Sequence, residues 1–219
     1  MTFLVPLIPL LPLLGFVVTG LFGRQMGRNS HVISIWAVVL SWIVASIVAV
    51  AALARNFGIG DGASITLWSW VPALGFHSDI GMYVDALTGC LLIVVTTIGM
   101  LVHIYSIGYM EHDPGKWRFF AYLNLFMFSM LILVLANDFL LLFAGWELVG
   151  LCSYLLIGFW YPRRSAAEAA KKAFLVNRVG DMGFALAIMA IWTQLGTLNM
   201  QDVFAKVAAG DLSSTRFCG

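Results

Sequence analysis

Glu147 lies near the middle of an otherwise uncharged apolar run, FLLLFAGWELVGLCSYLLIGFWY, which covers residues 139–161. An ionised carboxylate at bilayer depth is costly unless it is paired, hydrated or protonated. None of the residues three or four positions away can pair with it, since these positions hold Phe143, Ala144, Gly150 and Leu151. We therefore predict that Glu147 handles protons. The alternative is a protonated glutamic acid that donates a hydrogen bond to a backbone carbonyl.

Arg178 and Asp181 lie in a second apolar run, KKAFLVNRVGDMGFALAIMAIW. Their i, i+3 spacing places both on one face of a helix, so that they can neutralise each other and fasten this helix to a neighbour. Ionisable residues inside membrane spans are also functional by default. The sequence leaves both interpretations open: a structural ion pair, or a direct role in proton transfer.

The remaining ionisable candidates lie at or near predicted span ends, where water can solvate them. They are Asp85, His103 and Asp138. We interpret His103 as an interface histidine, with a proton relay as the alternative. Lys171 and Lys172 are interpreted as anchors at the lipid headgroups.

The composition indicates an integral membrane protein. Hydrophobic residues make up 61% of the 219 residues, charged residues only 11%, and the mean hydropathy is +0.94. The net charge of +1 and the scattered basic residues argue against nucleic-acid binding. The three cysteines, Cys90, Cys152 and Cys218, form no ligand spacing, so neither a metal site nor a disulfide framework is predicted.

Six membrane helices position these residues. The first three predicted spans cover residues 3–22, 32–54 and 84–104, and the last covers residues 173–192. The apolar stretch 119–161 has 43 residues and would be roughly 64 Å long as one helix, about twice the hydrocarbon thickness. It is therefore divided into the fourth and fifth spans, with a turn at Asn137 and Asp138.

The predicted hairpin of spans five and six places two carboxylates at similar depth. Glu147 is nine residues from Asp138, and Asp181 is nine residues from Lys172. Each carboxylate is therefore ~14 Å from its end of an antiparallel helix pair. Two carboxylates near mid-membrane on adjacent helices could bracket a hydrated path.

The fold class is accordingly all-α, a polytopic membrane protein with about six transmembrane helices. Residues 1–57 hold the first two helices, and residues 84–195 hold the other four. Between them, residues 58–83 form an extracytoplasmic loop, in which the alternation of ITLWSW predicts a small surface hairpin with Trp68 and Trp70 at the interface. Residues 196–219 are a polar tail with a short amphipathic stretch.

Basic residues are distributed unequally between the two sides. The loops after spans one, three and five hold eight Lys and Arg residues, and the opposite side holds Arg55, Lys206 and Arg216. Basic loops face the cytoplasm, which predicts an extracytoplasmic N-terminus in the inner (plasma) membrane.

Three long runs resemble a known family. HIYSIGYM (103–110), the run 118–161 with its core GWELVGLCSYLLIGFWY, and KKAFLVNRVGDMGFALAIMAIWTQLGTLN (171–199) closely resemble subunit L of bacterial NADH-quinone oxidoreductase and chain 5 of complex I. VDALTG at residues 84–89 extends the resemblance, which covers most of the chain from about Leu67 onward.

The resemblance implies an antiporter-like subunit of the membrane arm that couples electron transfer from NADH to quinone to outward proton pumping. In this family the glutamate matching Glu147 is the partner of a lysine on a seventh helix, and Arg178 and Asp181 match the arginine and aspartate of the sixth. NADH, FMN, Fe-S clusters and quinone are handled by other subunits, so no cofactor is expected in this chain. Its expected partners are other membrane-arm subunits and the lipid bilayer.

Two alternative functions remain open. One is the large subunit of a multisubunit cation/proton antiporter, which is related to the same family and also has a glutamate in its fifth helix. The other is a truncated remnant without transport activity, since family members continue through many more helices, including the one that holds the lysine. We expect a six-helix piece not to form a complete channel by itself.

Overall fold

The computed structural model describes residues 3–54, 62–69 and 79–210, except for the side chains of Arg28 and Ser69. Its elements follow one another as α1 Leu4–Met26, α2 Ser30–Ala54, β1 Ala63–Ser69, β2 Asp79–Val84, α3 Ala86–Tyr109, α4 Lys116–Leu135, α5 Phe139–Ile157, α6 Arg164–Leu195 and α7 Met200–Ala208. In this described part of the chain, six helices, α1 to α6, are long and apolar enough to cross a membrane.

The prediction of six membrane helices with a small hairpin between the second and third is therefore confirmed. Several helices extend beyond the predicted spans, most clearly α6, which has 32 residues. Trp70, Arg55, Arg216 and Cys218 lie outside the described residues.

α1 contains two prolines that a helix must accommodate, Pro9 and Pro12. Pro12 has no N–H, so the carbonyl of Ile8 loses its intrahelical partner. Ser41 of α2 donates its hydroxyl to that carbonyl at 2.6 Å. A neighbouring side chain thus satisfies the backbone group that the proline frees, as is required where water is absent.

α4 lies at the centre of the bundle and packs against α1, α2, α3 and α5. The apolar core includes Val38 and Val48 of α2 and Leu131 and Leu135 of α4. α6 lies at the edge, packing against α5 along its length and against α7 near its end. As a result α6 presents a wide apolar surface, formed by Leu175, Val176, Val179, Met182, Leu186 and Met189.

The hairpin is antiparallel, with Ala63 opposite Val84 and Ser69 opposite Asp79. An irregularity between Thr66 and Trp68 interrupts the predicted alternation, and Trp68 is exposed. The third span was expected to begin at about Val84, and the helix begins two residues later because Val84 ends β2. The helix begins at Ala86, where Asp85 accepts a hydrogen bond from the N–H of Thr88 at 2.7 Å and caps the helix.

Inter-loop contacts define two ends of the bundle. At one end Ala136 bridges Met82 of the hairpin, and Asp138 bridges Asn199 before α7. At the other end the indole of Trp160, after α5, donates to Asp113, before α4, at 2.9 Å. The loops after α3 and α5 therefore share one end, as the sequence predicts for odd-numbered loops. Hereafter this is called the basic end.

Candidate functional site

The candidate site lies between α5 and α6, an antiparallel pair joined by a short connection. Gly145 places α5 directly against α4, since a Cβ at this position would lie 3.0 Å from the backbone nitrogen of Leu133. On the opposite side Phe143 packs edge-on against Phe184 of α6, with ring centroids 5.5 Å apart. These contacts fix the register in which the polar side chains of the two helices meet.

Arg178 is the group that joins the two carboxylates. Its guanidinium contacts Oε2 of Glu147 across the interface, and the same Nη1 lies 3.8 Å from Oδ2 of Asp181 on its own helix. The two carboxylates predicted to share a depth thus lie on either side of one cation. The partner of Glu147 could not be found from local spacing, because it is 31 positions away, on the next helix.

Trp146 is a member of this cluster that the sequence analysis missed. Its indole N–H donates to Oδ1 of Asp181 at 2.9 Å, and its ring lies edge-on to Phe184 at 6.1 Å. Position 146 directly precedes Glu147, so the two side chains leave α5 about 100° apart. Both nevertheless reach α6, where one contacts Arg178 and the other contacts Asp181.

The three charged groups differ in their access to solvent. The exposed fraction of the side chain is 9% for Asp181, 22% for Glu147 and 40% for Arg178. The Arg178 guanidinium also lies 4.6 Å from the ring centroid of Phe174, a cation–π distance. Asp181 is therefore the buried member, while Arg178 faces outward.

A cleft of about 630 Å³ opens beside this cluster. It is lined by residues of α4, α5 and α6, namely Met130, Leu133, Trp146, Val149, Gly150, Ser153, Val176, Asn177, Gly180, Asp181 and Phe184. Polar groups of Ser153, Asn177 and Asp181 give such a space partners for water. With both carboxylates ionised, the cluster has a net charge of −1 and suits an additional cation or proton.

The sequence left two interpretations of Arg178 and Asp181 open, a structural ion pair or a direct role in proton transfer. Arg178 is not limited to its i+3 partner, because it contacts Glu147 as well. The residues predicted separately on the two helices therefore form one cluster. Their direct role in proton transfer remains a prediction.

The placement of His103 near the end of a span is wrong. α3 continues to Tyr109, and His103 is buried at 1% exposure, with Nδ1 2.8 Å from the carbonyl oxygen of Gly99. Its Nε2 is buried and has no hydrogen-bond partner among the residues that the structure describes. The helix continues through polar residues because they bond to its own backbone, as Ser106 does to the Val102 carbonyl.

The other predicted end residues are placed as follows. Asp138 is buried rather than solvated, and it caps α5 by accepting from the N–H of Leu140 at 2.7 Å; the capping Asp85 is buried too. Lys171 and Lys172 are exposed on the second and third turns of α6, away from the cluster. Within the described ranges, no three His, Cys, Asp or Glu side chains group as metal ligands.

Two family profiles match the chain. The profile described as NADH-ubiquinone oxidoreductase (complex I), chain 5 N-terminus, matches residues 70–120, and the one described as NADH:quinone oxidoreductase/Mrp antiporter, TM, matches residues 136–219. Together they cover more than half of the chain. The cluster residues Glu147, Arg178 and Asp181 all lie within the second match.

Individual proteins are similar over most of the chain. NADH-quinone oxidoreductase subunit L of Mycobacterium tuberculosis (strain CDC 1551 / Oshkosh) is 44% identical over 187 residues, which are 85% of this chain and 29% of that protein. NADH-ubiquinone oxidoreductase chain 5 of Metridium senile is 45% identical over 212 residues, covering 95% of this chain and 34% of that protein. The chain thus spans about a third of the length of these relatives.

The fold is similar to that of a chain in the solved structure of the Mrp complex from Dietzia sp. DQ12-45-1b. The two chains superpose with a TM-score of 0.72 and 26% sequence identity, over 95% of this chain and 22% of the Mrp chain. The helical arrangement is therefore shared with an antiporter complex, while the sequence identity is much higher to the quinone oxidoreductase subunits. The chain belongs to the family of NADH-quinone oxidoreductase subunit L and chain 5.

Proposed function

We propose that this chain is part of a membrane-arm subunit of a proton-translocating NADH-quinone oxidoreductase, which couples electron transfer from NADH to quinone to outward proton pumping. The observation that carries the proposal is the cluster of Glu147, Arg178 and Asp181 between two packed membrane helices. Charged groups at such positions mark ion or proton pathways. The family relationship supplies the reaction to which this pathway is coupled.

In the proposed mechanism the single positive charge of Arg178 leaves the cluster of two ionised carboxylates with a net charge of −1. A cation that approaches Glu147 from the open side of α5 and α6 competes with Arg178 for this carboxylate. The resemblance implies that this cation is a lysine of a further helix. Pairing with Glu147 raises the lysine's affinity for its proton, and return of Glu147 to Arg178 lowers that affinity and releases the proton.

The cleft beside the cluster serves as the water-accessible part of the path. Ser153, Asn177 and Asp181 give water polar partners along one part of its otherwise apolar lining. Asp181 is mostly buried and is held by Trp146, so its carboxylate provides a fixed negative field while Glu147 changes partner. Arg178 already lies near both carboxylates through the same nitrogen, so it can stay beside Asp181 when Glu147 leaves it.

We also propose an orientation of the chain in the membrane and a set of partner subunits. The basic end faces the cytoplasm, and the N-terminus and hairpin lie on the extracytoplasmic side of the inner (plasma) membrane. The partners are other membrane-arm subunits, and NADH, FMN, Fe-S clusters and quinone are bound by those other subunits.

The second candidate is the large subunit of a cation/proton antiporter. It is favoured by the fold shared with the Mrp complex and by the profile that covers both kinds of protein. A cluster with one excess negative charge would bind a metal cation as readily as an ammonium group. The higher identity to subunit L and chain 5 favours the quinone-linked function.

One experiment separates the two candidates. Membrane vesicles containing the full-length protein are given NADH and a quinone, and lumenal pH is followed; a sodium pulse is then applied without NADH. The quinone-linked proposal predicts acidification that requires NADH and a purified complex that retains quinone reductase activity. Proton movement driven by the sodium pulse alone, with no NADH-dependent signal, would establish the antiporter instead.

The remnant alternative is tested genetically. A strain whose only copy of the gene encodes this 219-residue chain is compared with one that encodes the full-length protein. The proposal assigns pumping to the full-length protein, so we expect quinone-linked pumping in the second strain, and its absence there would contradict the proposal. Quinone-linked pumping retained in the first strain would exclude the remnant interpretation, and its loss in that strain alone would favour it.

A further inference from the structure

A second polar cleft lies at the basic end, away from the charged cluster. It has a volume of about 250 Å³, several times that of one water molecule (about 30 Å³). It is formed by the beginning of α4, the end of α5 and the beginning of α6, lined by Arg118, Tyr122, Tyr154, Leu155, Gly158, Phe159, Tyr161, Ala167, Ala170 and Lys171. Helix ends of three spans meet here, so the cleft lies at the level where a bilayer has its headgroups.

Arg118 is held in place by aromatic rings rather than by a carboxylate. Its guanidinium carbon lies 5.2 Å from the ring centroid of Phe159 and 5.5 Å from that of Tyr161. Its Nε is buried and, within the described ranges, has no hydrogen-bond partner. A guanidinium fixed between two rings, with unused N–H donors, is prepared to receive a planar or tetrahedral oxyanion.

Lys171 brings a second positive charge to the same cleft, and neither cation is neutralised by the described residues. No carboxylate lies within ion-pairing distance of Arg118 or Lys171 in the described part of the chain. Two nearby carboxylates have other partners: Asp113 accepts from the backbone of Gly115 and from an indole, and Glu168 pairs with Arg164 at 2.8 Å. Arg118 and Lys171 are therefore available to a bound anion.

The other residues that line the cleft are also compatible with a bound oxyanion. Tyr122 and Tyr154 supply hydroxyl groups that can donate to an anion. Gly158 and Ala170 let the end of α5 approach α6 closely at the floor of the cleft, since a Cβ on Gly158 would lie only 3.1 Å from that of Ala170. Aromatic residues around the opening, Tyr109, Trp160 and Tyr161, are exposed as in an interfacial aromatic belt.

We propose that this cleft is a binding site for a phosphate anion, held by the Arg118 guanidinium and the Lys171 ammonium. Its position at the helix ends favours the headgroup of an anionic phospholipid over free phosphate, because the acyl chains can then run along the apolar surface of α6. This site is independent of the proton pathway, so its test does not depend on the proposed function.

The sequence offers a matched control in Lys172. It is next to Lys171 on α6, is also exposed and carries the same charge, but does not line the cleft. The full-length protein is placed in nanodiscs of phosphatidylcholine with a minor share of phosphatidylglycerol. Lipids that remain bound after mild detergent extraction are then counted by native mass spectrometry.

We expect Arg118→Gln and Lys171→Gln each to weaken phosphatidylglycerol retention about tenfold, the effect of losing one charge-assisted hydrogen bond, and Lys172→Gln to leave it unchanged. Arg118→Lys should restore part of the retention. Unaltered melting temperature of Lys171→Gln ensures that a loss of binding is not a loss of fold. Equal effects of Lys171→Gln and Lys172→Gln would show diffuse attraction and overturn the proposal.

A second arm distinguishes the source of the phosphate. The protein in nanodiscs of phosphatidylcholine alone is titrated with inorganic phosphate, with binding followed by phosphorus NMR. Retention of phosphatidylglycerol without saturable binding of inorganic phosphate assigns the site to a lipid headgroup. Saturable phosphate binding that Lys171→Gln abolishes assigns it to the free anion. Absence of both overturns the site.

Discussion

At the scale of single residues, the central feature is one arginine between two carboxylates. Arg178 contacts Glu147 on α5 and lies 3.8 Å from Asp181 on its own helix. A group shared in this way couples the two carboxylates electrostatically, because its position determines which negative charge is compensated. The cluster therefore acts as a unit rather than as three separate charges.

Double substitution distinguishes a shared unit from a simple ion pair. If Arg178 and Asp181 only neutralise each other, Arg178→Ala or Asp181→Asn alone leaves an uncompensated charge, and the double variant should recover assembly and pumping. Because Arg178 also serves Glu147, we expect the double variant to be no better than Arg178→Ala. The measurement is NADH-driven pumping in membranes with equal amounts of assembled complex. Full recovery in the double variant would contradict the shared unit.

Trp146 is expected to act as a positioning residue for Asp181. Trp146→Phe removes the indole donor while keeping a ring against Phe184, so Asp181 loses a hydrogen bond that is typically worth about 1.5–3 kcal/mol for a charged acceptor. We expect reduced pumping and a shifted pH profile of pumping in a complex that still assembles.

A matched control for this substitution is Trp160→Phe. Trp160 also donates its indole N–H to an aspartate at 2.9 Å, but at the basic end of the bundle. It should leave the pH profile of pumping unchanged. If both substitutions shift the profile equally, the effect does not come from Asp181.

At the scale of elements, α1 and α2 show how a proline is tolerated inside a span. Ser41→Ala leaves the Ile8 carbonyl without a donor in the bundle interior, and we expect a loss of about 1–3 kcal/mol in stability. In a Pro12→Ala background the new N–H can bond to Ile8, so the same substitution should cost much less. Thermal unfolding of the four proteins in detergent measures this coupling, and equal costs in both backgrounds would disprove it.

The membrane helices could be predicted where local properties of the sequence determine them. Apolar runs and the position of Asn137 and Asp138 specify the six helices, because hydropathy and helix capping are local properties. His103 could not be placed, since its burial depends on the continuation of α3 through Ser106 to Tyr109. Polar residues there resemble a span end, yet they bond to carbonyls of the preceding turn.

For the candidate site, the sequence predicts which residues take part but not which contacts they make. Glu147, Arg178 and Asp181 could be selected because each is an ionisable group in an apolar helix. The contact between Glu147 and Arg178, and the donor provided by Trp146, depend on the register of α5 against α6. That register is determined by non-local packing, such as Phe143 against Phe184, and no spacing rule within one helix contains it.

At the scale of the whole molecule, the charged cluster lies at the open edge of the bundle. α6 packs against α5 and α7, and its outer face is apolar and exposed next to Arg178. The chain corresponds to about a third of its relatives. The position of the cluster at this edge is what the proposed mechanism requires, since the competing cation must reach Glu147 from a further helix.

The central claim is that Glu147 takes part in coupled proton transfer, and the most direct test is the number of protons pumped per electron by the full-length complex in proteoliposomes. Glu147→Gln should clearly lower this proton-to-electron ratio, because the neutral amide cannot exchange a proton or pair with a cation. Glu147→Asp should keep part of it, and Glu168→Gln, which removes an exposed carboxylate outside the cluster, should match the unmodified protein. An unaltered proton-to-electron ratio in an assembled Glu147→Gln complex would contradict the account.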